Sequence, residues 1–449
     1  MDNVLIKGAG KNKLWKYLTK DFQKRGHWGT VISEHSNQGM RPKRGTTVIP
    51  RSIYNYDKFN PNATQCRIAM KDKTHKFYEF FSRLNRANQN HYGFFSFHFV
   101  ENIFNILINY YYSLYEKNKI TLLILNRPPH IGQDYIAYEV AKAMDIKTLI
   151  LFQAHQFEGR FLHVFENDDF GEFKTSVRNS KETIKFVQLK RGFEKELDYM
   201  QDFYRKKKSI KATFADSIVG KLLIDIYKGG ELINSLKRFK LNYDFEKNYK
   251  AHVNLNPDLN CKYVYFPLHL QPEMTTSNWG GIYCDQVLAI EHLSSILPAD
   301  WNIYVKENPK QGAFQRGALF YQRLKAIPNV IYISKKMDTY NLLQKCQFTA
   351  TITGTVGWEA ITGGKPVVLF GTNTWYQTFP GVHEFSFDLN PDVIAKTPID
   401  HKEVELAYNQ LMHKTNKGRI YSFSSLKTKD DILQNVGLVE NALKHILKY

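Results

Sequence analysis

The apolar positions of this chain change rhythm along its length, and the changes divide it. Over 1–60 the pattern predicts a basic helix at 14–25 and a strand at 30–33, then loop. From 73 to 115, apolar and aromatic residues recur at helical spacing, which predicts one or two long helices. A short apolar run at 121–125 is the first clear strand. After it come a proline-containing polar loop at 126–134, a helix at 135–144 and a second apolar run at 147–153, together a βαβ unit. Residues 161–250 read as helical and basic, and LNPDLN at 255–260 reads as a linker. Beyond it the alternation is strict. Strands at 263–268, 302–305, 330–333, 348–352 and 366–370 are separated by helices at 284–297, 320–327, 339–345 and 356–361. That order predicts a second doubly wound domain. Ile432, Val436, Val439, Leu443 and Ile446 mark one face of a last helix.

The expected fold is therefore α/β, with two Rossmann-like domains facing a cleft and a C-terminal helix crossing back, which resembles the GT-B architecture of glycosyltransferases. An analogy of fold does not fix an activity. The expected domains are 1–255, an acceptor-side Rossmann-like domain with a helical basic insertion, and 261–425, a nucleotide-sugar donor domain. Residues 430–449 are expected as a terminal helix packing back on the first domain.

Composition narrows the partners. The 449 residues are 43% hydrophobic and 23% charged, ordinary globular values, but the net charge of +19 points to a polyanionic partner. Nucleic acid, an anionic membrane surface and a phosphorylated ligand all satisfy it. No nucleic-acid recognition module or basic arm is present in the sequence, which argues against the first. The four cysteines, Cys66, Cys261, Cys284 and Cys346, lack CxxC spacing, which fits a reducing compartment and argues against a zinc site. Lysines flank the short apolar stretch at the start, so neither a secretory signal nor a transit peptide is expected, and the cytoplasm is the default. The run 92–115 is interrupted by His98, Glu101, Asn102 and Asn109 and is too polar to span a bilayer. Within 161–250 the lysines read first as a solvated helix face, and alternatively as a surface leaning on anionic headgroups at the inner membrane.

The candidate chemistry collects at strand ends, where α/β folds place ligands. TITGTVGWEAITGGKPVVLFG, at 351–371, reads as strand, glycine turn, helix, glycine turn, strand. Gly354 and Gly357 allow close backbone approach, Thr353 and Thr355 supply hydroxyls, and the helix start offers N–H groups with a positive dipole end, so the simplest guest is a phosphate. Glycines also flank helices that bind nothing. In the first domain Arg127, His130 and Asp134 follow one strand and His155, Glu158 and Arg160 the next. Singly, Asp134 reads as a helix cap and Arg160 as a solvated charge. As a group of six on one edge they read equally as a site.

Three segments go beyond architecture: YFPLHLQPEMTTS at 265–277, IYVKENP at 303–309, and 351–371. Together they resemble the capsule polysaccharide biosynthesis family that includes bacterial Kdo transferases, which use CMP-Kdo (Kdo being 3-deoxy-D-manno-oct-2-ulosonic acid). The resemblance covers roughly 261–385, with PPHIGQD a weaker echo in the first domain. In that family Gln-Pro and His-Pro motifs mark the donor site. Gln271-Pro272 matches the first, while Asn308-Pro309 stands where the histidine motif would be. Asparagine donates a hydrogen bond but carries no titratable proton.

The resemblance implies a transferase moving a CMP-activated ulosonic acid onto a surface polysaccharide or its lipid-linked acceptor. Lys306 and the turn Thr353-Gly354-Thr355 would serve the phosphate, Glu359 the ribose, and Gln271 the cytosine or sugar. Arg127, His130 and Arg160 would hold a carboxylate, and Asp134, with Glu158 second, would be the catalytic carboxylate. No metal or other cofactor is expected. The alternatives are another nonulosonic acid (sialic, legionaminic or pseudaminic), a UDP-sugar, or an inactive GT-B assembly partner.

Overall fold

The computed structural model describes residues 1–8, 13–34, 60–63, 66, 70, 75–87, 97–129, 131–157, 159–178, 184–190, 192–193, 232–271, 273–313, 316–421, 426 and 428–449. Within them lie twelve strands: β1 (Asp2–Lys7), β2 (Trp28–Glu34), β3 (Leu122–Leu125), β4 (Lys147–Phe152), β5 (Arg160–Val164), β6 (Tyr263–Pro267), β7 (Asn302–Lys306), β8 (Val330–Ile333), β9 (Thr349–Thr351), β10 (Val367–Leu369), β11 (Val382–Glu384) and β12 (Asn416–Lys417). They form two six-stranded sheets, ordered β12-β5-β4-β3-β1-β2 and β11-β10-β9-β6-β7-β8. The second sheet is parallel throughout. In the first, β5 runs antiparallel to β4, and β12 antiparallel to β5.

Parallel strands are covered on both faces, so each reads as a continuous apolar run whose successive side chains enter different cores. In the first sheet Val4, Ile6, Leu122, Ile124, Leu149 and Leu151 face the helix Lys13–Lys24, through Trp15, Leu18 and Phe22, and the last helix, Lys429–Leu447, through Val439, Leu443 and Ile446. Leu5, Leu123, Leu125 and Ile150 face the other way, toward the helices His75–Ala87, Phe97–Asn118 and Gly132–Ala143. The tyrosine-rich helix Phe97–Asn118 is thus a core element, and no described helix is long and apolar enough to cross a membrane. In the second sheet Val264, Phe266, Ile303, Val305 and Val368 pack against the helices Gln286–Ile296 and Ala318–Ala326.

Two parts of the chain differ from the expected pattern. Residues 161–164, expected at the start of a helical stretch, belong to the antiparallel strand β5, because Leu162 and Val164 add two more buried side chains to the sheet beside β4. The helix Leu232–His252, expected within the first domain, packs on the second sheet. Phe245 and Tyr249 enter its core and Asn254 bridges to Ile333, so the second unit gathers chain from before LNPDLN. Residues 194–231, with most of the basic stretch, lie outside the described residues.

The loops leaving the carboxyl ends of the two sheets touch. Asn278 Nδ2 donates to Pro129 O (3.4 Å), and Trp279 packs on Phe152 and Phe170, with ring centroids 6.2 and 5.4 Å apart. Two Rossmann-like units that face each other across these edges, with a last helix returned to the first, are the GT-B architecture. That last helix begins with a capping box between Thr428 and Asp431. Leu443→Ala, at a site with no exposure, should lower unfolding free energy by about 2–5 kcal/mol. Urea denaturation followed by tryptophan fluorescence measures it, and an unchanged midpoint would show that the helix is not part of the first core.

Candidate active site

At the first sheet's carboxyl edge, parallel register aligns Lys7 with Glu34 and with Leu125. Lys7 closes a run of apolar residues and is buried to 1% exposure, a position that a cation occupies only when paired. Its ammonium donates to Glu34 Oε2 (2.8 Å) and to the Tyr111 hydroxyl (2.7 Å), and lies 3.3 Å from Asp134 Oδ1. Tyr110 donates to the other Glu34 oxygen (2.8 Å). Burial works against the lysine charge, but the charges of Glu34 and Asp134 outweigh it and raise its pKa above the ordinary value. Burial likewise pushes the Glu34 carboxyl up, and the charge and hydrogen bond of Lys7, with the hydrogen bonds of the two tyrosines, bring it below the usual range.

Asp134 is not the helix cap. The helix Gly132–Ala143 starts after Ile131 with no side-chain cap, and Asp134 sits inside its first turn, 2% exposed and turned to Lys7. Arg127 is half-buried in the loop after β3 and near Tyr421, whose phenol burial pushes up to about 12. Arg160 donates to Thr415 Oγ1 (2.6 Å) and O (2.9 Å) on the far side of the same edge. Since β4 and β3 lie between β5 and β1, it stands roughly 14 Å from the Lys7 cluster by strand spacing. The structure therefore gathers Asp134 with Lys7 and Glu34, and sets Arg160 apart. His130, Glu158 and Pro272 lie outside the described residues.

On the facing edge the helix Thr355–Thr362 begins on Gly354 with no side-chain cap. The need for glycine there comes from beneath. A Cβ on Gly354 would lie 2.8 Å from Thr351 Oγ1 and 2.9 Å from His269 Nε2, and one on Gly357 would overlap the hydroxyl of Tyr376, which donates to Gly354 O. Thr353 Oγ1 donates to Thr275 O (2.5 Å). Trp358 packs on Trp375 and Tyr408, so its bulk joins helices. Glu359, one turn in, is half-buried.

The residues that the resemblance assigns to the donor are anchored within the protein. Lys306 donates to Met337 O (2.6 Å) and Thr339 Oγ1 (2.7 Å). Asn308 Oδ1 accepts from Lys310 N (3.0 Å), closing a turn through Pro309. Gln271 receives hydrogen bonds at Oε1 from Gln286 (2.6 Å) and Arg316 (2.9 Å) and donates to Cys284 O. Arg316 also donates to Glu307 (2.9 Å) and to His269 O (3.2 Å), and neither member of the Arg316–Glu307 pair has any exposure. His269 Nε2 meets Thr351 Oγ1 at 2.7 Å. Burial, then the Arg316 charge, lowers its pKa to about 4, so the ring is neutral. Lys7, Glu34 and Arg316 escape a reading by motif, and His269 and Glu307, though inside the quoted segments, are not singled out by it. Lys7 alone leaves a signal, a cation closing an apolar strand.

Among the described residues no group of three or more His, Cys, Asp or Glu is placed to hold a metal ion.

The fold and the paired edges define a GT-B protein. Residues 227–416 match the family model described as capsule polysaccharide biosynthesis protein, which agrees with the resemblance of the three segments. No curated protein matches the chain. Among solved structures, it is similar to the beta Kdo 2,7 transferase KpsC of Thermosulfurimonas dismutans, at 10% identity and TM-score 0.34 with both chains fully covered. The beta Kdo 2,4 transferase KpsC of the same organism is 16% identical over 37% of this chain and 55% of that one, at TM-score 0.24. The UDP-GlcNAc 2-epimerase of Methanocaldococcus jannaschii is 12% identical over 92% of this chain and all of that one, also at 0.24. Likenesses so distant carry no argument about activity.

Two outcomes follow from His269. Gly354→Ala should cost about 1–3 kcal/mol by crowding the ring, and less in a His269→Ala background, as a double-mutant cycle would read. A histidine whose folded pKa is depressed stabilises fully above its unfolded value near 6.5, and this contribution falls away as pH drops toward about 4. Unfolding free energy should therefore decline from pH 6.5 to 5.5, with a shallower slope in His269→Gln. Equal slopes would show that the ring titrates normally.

Proposed function

We propose that this protein is a glycosyltransferase that moves a CMP-activated ulosonic acid, Kdo or a close relative, onto a surface polysaccharide or its lipid-linked acceptor. One observation carries the reading: the carboxyl edges of two sheets meet, one with a helix start that no side chain caps, the other with a buried lysine between two carboxylates. The family match over 227–416 supports the setting in capsule synthesis.

In this reading the leaving CMP phosphate docks at Gly354-Thr355, where N–H groups and the helix dipole meet its growing charge. Thr353 and Gly357 shape the turn, Glu359 accepts from the ribose hydroxyls, and Lys306 adds positive charge from behind β7. Gln271, Asn308 and Pro309 hold the loops around the nucleotide. Across the cleft Asp134 is the catalytic carboxylate, kept in place by Lys7, and Arg127 meets the sugar carboxylate. No metal is needed, because CMP is a good leaving group and the phosphate has these partners. The net charge of +19 suits peripheral contact with the anionic cytoplasmic face of the inner membrane.

CMP should raise the melting temperature and UDP should not, since only a bound nucleotide shifts unfolding. Protection by UDP alone would move the donor to the UDP-sugars. With a CMP-sugar as donor, CMP release should persist in EDTA. Asp134→Asn should cut turnover at least about a hundredfold with little change in CMP affinity. Near-normal turnover of the Asn variant would remove Asp134 from the mechanism.

A further inference from the structure

A cavity of about 560 Å³ opens where β12 pairs with β5, lined also by the helices His401–Met412 and Lys429–Leu447. It lies beyond Arg160, on the flank of the edge away from Lys7. Among the described residues, Arg160, Lys185, Lys417 and Arg419 line it against one carboxylate, Asp431. That carboxylate accepts from Thr428 N (2.9 Å) in the cap of the last helix, and the four cations outnumber it among the described lining residues.

The cations are mounted rather than scattered. Arg160 is fixed by its two bonds to Thr415. Arg419 is held by its backbone: Asn435 Oδ1 accepts from its N–H (2.7 Å) and Asn435 Nδ2 donates to its carbonyl (3.0 Å). Its guanidinium passes over Gly159, 3.4–3.5 Å from where a Cβ would stand. Gly159 (φ +85°) and Gly418 (φ +126°) both need the left-handed region, and Gly418 N donates to Gly159 O (2.9 Å). Among the described residues no carboxylate pairs with Arg419 or Lys185. Ile184, Val187 and Leu438 form an apolar wall, and exposed Gln434 brings an amide to the rim.

A bare oxyanion would leave most of this volume and the apolar wall unused. We propose that the cavity binds a sugar residue bearing a carboxylate or a phosphate, part of the acidic glycan that the protein extends. The anion meets Arg419 and Lys185, the C–H face of the ring lies on Ile184 and Leu438, and Gln434 bonds its hydroxyls. This rests on the reading above for the origin of the sugar, but its test uses neither donor nor turnover.

Ligand-observed NMR titrations of the full chain with glucuronic acid, glucose 6-phosphate, glucose and inorganic phosphate supply that test. At least one acidic sugar should bind, with glucose and phosphate at least about tenfold weaker. The tighter of the two acidic sugars identifies the anion. Arg419→Gln and Lys185→Gln should each weaken binding at least about fivefold, Arg419→Lys should retain it, and added salt should weaken it in the wild type. CMP protection should be the same in all variants, which also reports that they fold. The proposal is overturned if neither acidic sugar binds, if phosphate alone binds as well, or if folded Arg419→Gln binds like wild type. Loss of CMP protection in the wild type would instead count against the transferase.

Discussion

An ion pair without any exposure, Arg316 with Glu307, organises the second domain. Removing two charges from water costs several kcal/mol per ion, so such a pair persists only where every remaining donor and acceptor finds a partner. Here Tyr332 donates to Glu307, while Arg316 reaches Gln271 and the carbonyl of His269. His269 in turn supports Thr351 under the glycine turn. The three segments that carry the family resemblance are thus bonded into one network: His269 and Gln271 from the first, Glu307 from the second, Thr351 and Gly354 from the third. A half-satisfied network of this kind would be worse than none, so the three segments depend on one another.

That arrangement shifts the weight of the motif. Gln271 belongs to the floor on which the turn rests, through Arg316 and His269, while Lys306 ties the end of β7 to the start of the helix Thr339–Lys345. Specificity of this sort is rigid by construction, since the helix start cannot move without disturbing a buried charge pair. The opposite edge is built differently. Lys7 lies between two carboxylates on separate elements, and Glu34, 20% exposed, is the member that water reaches.

The alternation of strands and helices after residue 260 was legible because parallel strands buried on both faces leave unbroken apolar runs. The same logic failed for β5 and β12. A two-residue strand has no period, and Arg160 to Val164 carries a histidine and an arginine in a run that does not look like core. The owner of the helix Leu232–His252 was illegible, because its core residues Phe245 and Tyr249 fit either sheet. Of the site, the glycine turn and Asp134 could be found from local sequence. Lys7 and Glu34 could not be linked to Asp134, since only the sheet register brings residues a hundred or more positions apart to one edge.

The return of the chain also sets an order of events during synthesis. Tyr449 accepts from Trp28 Nε1 (3.0 Å) and stacks on His27, and one face of the first sheet is covered partly by the helix Lys13–Lys24 and partly by Val439, Leu443 and Ile446 of the last helix. The ribosome makes β1 to β5 and the helix Lys13–Lys24 first, yet the rest of that apolar face has no cover until the last helix emerges. Meanwhile the second sheet, whose strands and helices are contiguous in sequence, can fold as soon as it is complete. The domain nearer the N-terminus is therefore the later to mature, with its exposed apolar face open to chaperones or misassociation for the whole interval.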